Sequence, residues 1–351
     1  MINNRILFLY AEVTPYFEKS VNYFNYLHPK FNIAIVQLDN KKTSTYKPVL
    51  NKNIIFRNKS SFKKYEEFYQ FCEDFNPKLL LVSGRMDRSY LKIAKKFKKH
   101  INVVTIQDTQ FNFNVSQLVK ILFSKYLYRQ YFSSYWGMGS MQTANALSLG
   151  FNPSRIYENF YVGSLGEPTK KHKKFNKKES TTILAVARLV EEKNLEKLAQ
   201  SIELINKEYN YTCKVLICGE GPLDKNLKSF NCVELLGYKT QDELKMIAEK
   251  CDLFCLLSVY EPWGLVIHEF ASQGLPIVAS SNCGSAVNLV HDNYNGFNVR
   301  SNDNHEIKAT LLNYINLDEE NKVQMSKNSG KISSMINNDI WSNTLLSLYN
   351  L

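Results

Sequence analysis

Residues 253–280 read LFCLLSVYEPWGLVIHEFASQGLPIVAS. The apolar run from Leu253 to Leu257 is short and stops at Ser258, which reads as a buried strand. Pro262 and Gly264 force an irregular turn after it. A helix is expected from Leu265 to Gln273, and Pro276–Ser280 is apolar again and reads as the next strand. Strand, helix and strand in so short a run make a βαβ unit with parallel strands.

The same alternation extends outward from this unit. Upstream, Thr181–Ala187, Lys214–Gly219 and Val233–Gly237 read as strands, with helices expected at Leu195–Lys207 and Asp242–Lys250. Downstream, Glu306–Ile315 and the terminal SNTLLSLYNL have helical patterns. The first half repeats the scheme, with strands at Arg5–Ala11, Phe31–Leu38, Asn53–Phe56, Leu79–Val82, Val103–Ile106 and around Tyr157. Helices are expected there at Tyr65–Phe75 and Ser89–Lys99. Between the halves, EPTKKHKKFNKKES is polar and basic, cannot bury a core, and reads as an exposed linker. The expectation is an α/β chain of two Rossmann-like domains facing across a cleft, 1–165 and 181–335, joined by a linker at 166–180. A terminal helix at 336–351 is placed to pack back on the first domain.

The bulk properties agree with two globular domains: 351 residues, 44% hydrophobic and 22% charged. Lys and Arg outnumber Asp and Glu by 44 to 33, a formal charge of +11. That surplus suits nucleic acid, nucleotide phosphates or an acidic membrane face, and an AT-rich genome's taste for Lys codons explains it equally well. The seven cysteines, Cys72, Cys213, Cys218, Cys232, Cys251, Cys255 and Cys283, are odd in number and sit mostly in apolar runs, which suits reduced thiols in a cytoplasmic protein. Cys251 and Cys255 lack a second pair at zinc-ligand spacing. The N-terminal MINNRILFLYAEV reads as a first strand, not a signal peptide, and no run approaches eighteen apolar residues.

Chemistry concentrates in the opening stretch. Bare N–H groups at a helix start near Leu265 favour phosphate. Glu261 lies in the turn before that helix, and Glu269 leans back from the same face toward the same place. Two carboxylates around an anion site suit the hydroxyls that flank a diphosphate. Arg188 directly follows a strand and Lys193 precedes a helix, so both can meet that phosphate. Gly219 and Gly221 follow a strand without the full dinucleotide fingerprint. Gly237 and Tyr238 follow another strand, where a backbone edge can pair with a base, and Thr240 with Glu243 forms a capping box.

These pieces, in this order, resemble the GT-B-fold retaining glycosyltransferases of family 4, also called group 1. The matching residues are Ala187-Arg188-Leu189 with Lys193-Asn194, Gly219-Glu220-Gly221-Pro222, Gly237-Tyr238, and Glu261 and Glu269 with seven residues between them. The resemblance spans roughly 180–300. It implies transfer of a sugar, with retention, from a UDP- or GDP-sugar to a glycan or lipid-linked glycan hydroxyl, as in bacterial surface polysaccharide assembly. It implies that Arg188 and Lys193 neutralise the diphosphate and that Glu261 holds the donor sugar. Gly264 and Leu265 would give N–H groups to phosphate, Glu269 would bind the ribose, and the Tyr238 backbone would meet the base. The donor domain would be 181–335 and the acceptor domain 1–165. No cofactor or metal is expected, since no Asp-x-Asp motif occurs.

The first half departs from that family. The loop AEVTPYFEKS lacks glycine, and Gln107 stands where many relatives carry histidine, followed by Asp108. Asp108 is expected either to orient the acceptor hydroxyl or donor sugar, or to cap a turn. Ser83-Gly84-Arg85 lies at a strand end, and His268 is expected to be packed rather than catalytic. Val115–Phe132, with Lys120, Lys125 and Arg129 at helical spacing, reads either as a helix lying on an anionic membrane, at the inner face of the cytoplasmic membrane, or as a core-facing helix. Rival functions are a nucleotide-sugar 2-epimerase on the same fold, and a non-catalytic binder of nucleotide-sugar or nucleic acid. No nucleic-acid motif supports the last.

Overall fold

The computed structural model describes residues 4–39, 46–111, 115–166 and 180–351. The chain divides into two compact units, Met1–Val162 with Asn337–Leu351, and Gly163–Ile336. The second unit thus begins slightly before the strand at Thr181 that the sequence placed at its start. Residues 167–179 of the expected linker lie outside the described residues.

Unit 1 is built on a parallel sheet of β1 (Arg5–Tyr10), β2 (Asn32–Gln37), β3 (Ile54–Asn58), β4 (Leu79–Ser83), β5 (Asn102–Ile106), β6 (Ser134–Trp136) and β7 (Ile156–Tyr157). Their spatial order is β3-β2-β1-β4-β5-β6-β7. The order reverses between β1 and β4, which makes the crevice beyond their carboxyl ends the natural place for a ligand. The helices α1 (Pro15–Leu27), α2 (Tyr65–Phe75), α3 (Arg88–Phe97), α4 (Val115–Leu122) and α5 (Ser140–Ser148) connect these strands. The β1 interior, Ile6 to Leu9, is fully buried, as both faces of a covered parallel sheet require.

Unit 2 repeats the scheme with β8 (Ser180–Val186), β9 (Thr212–Cys218), β10 (Val233–Gly237), β11 (Leu253–Leu256), β12 (Ile277–Ser280) and β13 (Gly296–Val299), in the order β10-β9-β8-β11-β12-β13. Its helices are α6 (Leu195–Tyr209), α7 (Asp224–Leu227), α8 (Gln241–Ala248), α9 (Leu265–Ser272), α10 (Gly284–Leu289), α11 (Asn304–Ile315) and α12 (Glu319–Ser334). Its order reverses between β8 and β11. The last helix, α13 (Asn338–Tyr349), belongs to unit 1. Trp341 is wholly buried there, 5.3 Å from Trp136 and 6.3 Å from Phe17 between ring centroids.

The α/β expectation holds, and most elements lie where the sequence put them. One does not: Val115–Phe132 is not a continuous α-helix. α4 ends at Leu122, and a π-helical turn occupies Lys125–Arg129, so the three cations do not keep regular helical spacing. No described helix is long and apolar enough to cross a membrane. All seven cysteines are buried and unbridged, and burial pushes the Cys283 thiol up to about 12.

Candidate functional site

In unit 2 the site grows from three loops at the carboxyl ends of β8, β11 and β12. The backbone N–H of Val259 donates to the Glu192 carbonyl (2.9 Å), tying the β11 loop to the β8 loop. Gly284 N–H donates to the Glu261 carbonyl (3.0 Å) and Ser285 N–H to the Trp263 carbonyl (2.7 Å), tying the same turn to the start of α10. The Ser285 hydroxyl donates to the Gly264 carbonyl at 2.9 Å. Gly264 itself has φ +85°, a left-handed conformation that favours glycine.

Lys193 and Glu261 form an ion pair across this scaffold, their side chains only 13% and 18% exposed. The pair bridges the point where strand order reverses. The Glu261 Cγ also lies about where it would touch a side chain at Gly264, 3.0 Å from the position of a Cβ there. Lys193, Glu261 and the start of α9 at Gly264 and Leu265 are therefore one cluster. α9 has no side-chain cap, so its first N–H groups and their partial positive charge face the cluster without a capping acceptor from Gly264.

Arg188 stands outside that pair. Its side chain is 71% exposed, and its recorded ionic neighbour is Glu192 at 4.0 Å. The loop that carries it is nonetheless fixed: Ala187 N–H donates to the Cys218 carbonyl (3.1 Å), Leu189 N–H to the Glu220 carbonyl (2.9 Å) and Leu223 N–H to the Leu189 carbonyl (3.1 Å). Gly219 and Gly221 permit this contact. A Cβ on Gly219 would lie 1.9 Å from the Ala187 oxygen, and one on Gly221 2.5 Å from the Leu189 oxygen. The two glycines are needed by the backbone that holds Arg188, whatever they offer a ligand. Gly219 N–H also donates to the Gly237 carbonyl (2.9 Å), which anchors the turn that exposes the Tyr238 side chain. The capping box follows: Glu243 N–H donates to the Thr240 hydroxyl and Thr240 N–H to the Glu243 carboxylate.

Glu269 is held by a residue that sequence reasoning missed. Its Oε1 accepts from both the backbone N–H (3.0 Å) and the hydroxyl (2.8 Å) of Ser164, whose oxygen in turn accepts from Gln241 (2.6 Å). No local signal links Ser164 to Glu269. His268 is packed as expected. Its Nδ1 accepts from Gly163 N–H (2.8 Å), so Nε2 carries the proton toward the Ser333 carbonyl (2.9 Å), and burial holds the imidazole below its usual range.

Unit 1 has a cavity of about 400 Å³ at its own reversal point, between the ends of β1 and β4. Asp108, Glu12 and Arg85 line it beside Tyr10, Tyr16 and Tyr161. Burial pushes these three phenols up and the Asp108 charge adds to it, which outweighs the opposing hydrogen bonds of Tyr16 to Thr14 and Tyr161, so the aromatic wall stays neutral. Ser83 accepts from Ala11 N–H (3.1 Å), and Arg85 stacks over Tyr128 (5.0 Å). Gln107 is buried, donates to the Thr105 hydroxyl (2.9 Å), and can serve no base chemistry. Sequence reasoning missed Glu12, Tyr16 and Tyr161. Among the described residues no group of three or more His, Cys, Asp or Glu is placed to hold a metal ion.

The chain is similar to the amylovoran biosynthesis glycosyltransferase AmsK of Erwinia amylovora, with 30% identity over 146 residues, 37% of this chain and 35% of that protein. The match therefore spans only about a third of that relative. In fold, the chain is similar to the lipopolysaccharide outer core galactosyltransferase WaaB (TM-score 0.73, 14% identity, 98% of each chain). It is also similar to HepE of Anabaena, solved with UDP and glucose (TM-score 0.69, 15% identity, 99% of this chain and 100% of that one). Residues 167–331, which carry Lys193, Glu261 and the start of α9, match the family model of glycosyl transferases group 1.

Proposed function

We propose that the protein transfers a sugar from a UDP- or GDP-sugar to a hydroxyl of a glycan or lipid-linked glycan, with retention of configuration, in bacterial surface polysaccharide assembly. The observation that carries this reading is the Lys193–Glu261 pair beside the start of α9, where Gly264 stands at the N-cap. A departing nucleoside diphosphate gains charge as the glycosidic bond breaks, and preorganised positive groups act most strongly where charge develops. Lys193 and the Leu265 N–H supply that charge, and Arg188, exposed on its fixed loop, adds a weaker contribution. Glu261 accepts from sugar hydroxyls while its partner Lys193 holds it in place. Glu269, held on one oxygen by Ser164, takes the ribose, and the backbone at Tyr238 meets the base. Asp108 orients the acceptor hydroxyl in the unit 1 cavity. The named relatives, an amylovoran enzyme and a lipopolysaccharide galactosyltransferase, support the polysaccharide setting, and the UDP and glucose of HepE support the donor class.

Thermal shift with UDP-, GDP- and ADP-sugars tests the donor. One of them should raise the unfolding midpoint of the wild type and fail to raise that of Lys193→Ala, because a ligand that binds only the folded state stabilises it. No stabilisation by any of them removes the donor reading. Product analysis without acceptor separates transfer from 2-epimerisation: an epimerised nucleotide-sugar would overturn the transferase reading.

A further inference from the structure

The outer side of α4 and the turn after it is apolar and uncovered. Val115, Leu118, Val119, Leu122, Phe123 and Tyr126 recur at the spacing of one helix face. All six are exposed, Leu122 by 79%, Val115 by 76% and Tyr126 by 65%. The opposite side is the packed one: Tyr128 is buried in the core of unit 1, and Ile121 and Leu127 pack against it. Scattered exposed apolar residues are ordinary on a protein surface, but a contiguous stripe of six marks a contact.

Charge says what kind of contact. From Arg88 to Tyr157 the chain carries ten Lys and Arg and a single acid, Asp108. Lys125 and Arg129 are exposed directly after the stripe. The Lys98 ammonium, just past the end of α3, donates to the Arg129 carbonyl, which brings a third cation beside the turn. Burial and the Arg129 charge hold the Lys98 ammonium below its usual range, so two cations share this corner. A second copy of the chain would bring the same cations face to face, whereas an anionic lipid surface neutralises them and takes up the apolar side chains.

We infer that the stripe Val115–Tyr126 seats unit 1 on an anionic lipid bilayer, its apolar side chains in the headgroup boundary and Lys125, Arg129 and Lys98 on lipid phosphates. Tyr128, two residues beyond the stripe, lines the Asp108 cavity, so docking brings that cavity close to the headgroups. This inference stands apart from the donor reading, which concerns unit 2.

Co-sedimentation of the full chain tests it, using vesicles of phosphatidylcholine with about a quarter phosphatidylglycerol, and vesicles of phosphatidylcholine alone. The chain should pellet with the anionic vesicles at least about fivefold more than with the neutral ones, and less as salt rises. The double variant Leu122→Gln, Phe123→Gln should bind anionic vesicles at least about tenfold more weakly. Its unfolding midpoint and its nucleotide-sugar thermal shift should match the wild type. Lys125→Glu with Arg129→Glu should lose the preference for anionic vesicles. Unchanged binding by the stripe variant, or wild-type binding without lipid-charge preference, overturns the inference. So does a wild-type dimer that ignores vesicles and dissociates in the stripe variant.

Discussion

The two units share one strand order around a reversal point, yet they treat the space beyond it differently. In unit 2 the loops after β8, β9 and β10 are bonded backbone to backbone, Leu189 to Glu220 and Gly219 to Gly237, because glycines leave no Cβ between them. In unit 1 the loops after β1 and β2 are bonded backbone to backbone too, Leu38 N–H to the Tyr10 (3.0 Å) and Ala11 (3.2 Å) carbonyls, but at the reversal point a side chain joins the loops after β1 and β4, where unit 2 has the Val259–Glu192 backbone bond. Ala11 N–H bonds the Ser83 hydroxyl across that point, and Val13 N–H bonds Gln37 Oε1 (2.9 Å). A cavity of about 400 Å³ lies beside that Ser83 contact. A tightly joined floor fixes the positions of charges, which is what the proposed diphosphate role requires of them. A roomier cavity with a neutral phenolic wall suits a polyhydroxylated acceptor.

The largest expected effect tests the joined floor. Gly219 has φ +142°, and an added Cβ would lie 1.9 Å from the Ala187 oxygen, so Gly219→Ala should cost at least about 3 kcal/mol of stability. Gly84 in unit 1, at φ +53° with its nearest neighbour 3.6 Å away, should cost only about 1 kcal/mol as Gly84→Ala. Urea unfolding of the two variants reads the difference directly. Equal costs would dissolve the contrast between a joined floor and a propped one.

Next in size is the charge that the floor holds. Lys193→Ala should lower kcat/KM at least about a hundredfold, roughly 2.7 kcal/mol of transition-state stabilisation. Arg188, exposed and outside the pair, should lose less than about tenfold as Arg188→Ala. An Arg188 variant as impaired as the Lys193 variant would move the clamp from the buried pair to the exposed arm. Denaturant midpoints for both variants keep a folding defect from passing as a catalytic one.

How much of this was visible in the sequence depended on distance along the chain. The Glu261–Glu269 turn was legible because its strand, Pro, Gly and helix are contiguous, and Lys193 because it closes a short loop after a strand. Ser164 was not: it meets Glu269 across more than a hundred residues, without a spacing signal. α12 was missed because its buried face is polar. Ser326 bonds the Gly274 carbonyl (2.6 Å), Asn328 the Tyr294 carbonyl (2.8 Å), and Ser329 the Asn295 carbonyl (3.2 Å). A helix that buries Ser and Asn against backbone carbonyls shows little apolar period. β6 and β13 were missed because SYW and GFNV mix small or polar residues with apolar ones and form no apolar run like those of β11 and β12. Around α4 the sequence showed Lys120, Lys125 and Arg129 at helical spacing among apolar residues, but left open whether the helix faced a membrane or the core.

In unit 1, Asp108→Asn should reduce transfer about tenfold, near 1.4 kcal/mol, and leave the donor's thermal shift unchanged. The substitution keeps size and most hydrogen bonds and removes the negative charge. A donor shift that falls with it would assign this cavity to the donor rather than the acceptor, and the division of labour between the units would fail.

The smallest effect is a pH dependence expected from unit 2. His268 is neutral in the fold because burial disfavours the charged ring, and Nε2–H and Nδ1 are both bonded to backbone. In the unfolded chain its imidazole returns to about 6.5. Below that value the unfolded state binds more protons than the folded one, so this residue's contribution is present above about pH 6.5 and lost as pH falls. The loss between about pH 7 and pH 6 is at most about 0.7 kcal/mol. The phenols of the unit 1 cavity, pushed up by burial, stay neutral throughout that window and add nothing. His268→Gln can still accept from Gly163 N–H and donate to the Ser333 carbonyl, so it should flatten the dependence of the unfolding midpoint on pH without abolishing the fold. A variant whose midpoint falls with acid as steeply as the wild type would locate the acid sensitivity elsewhere.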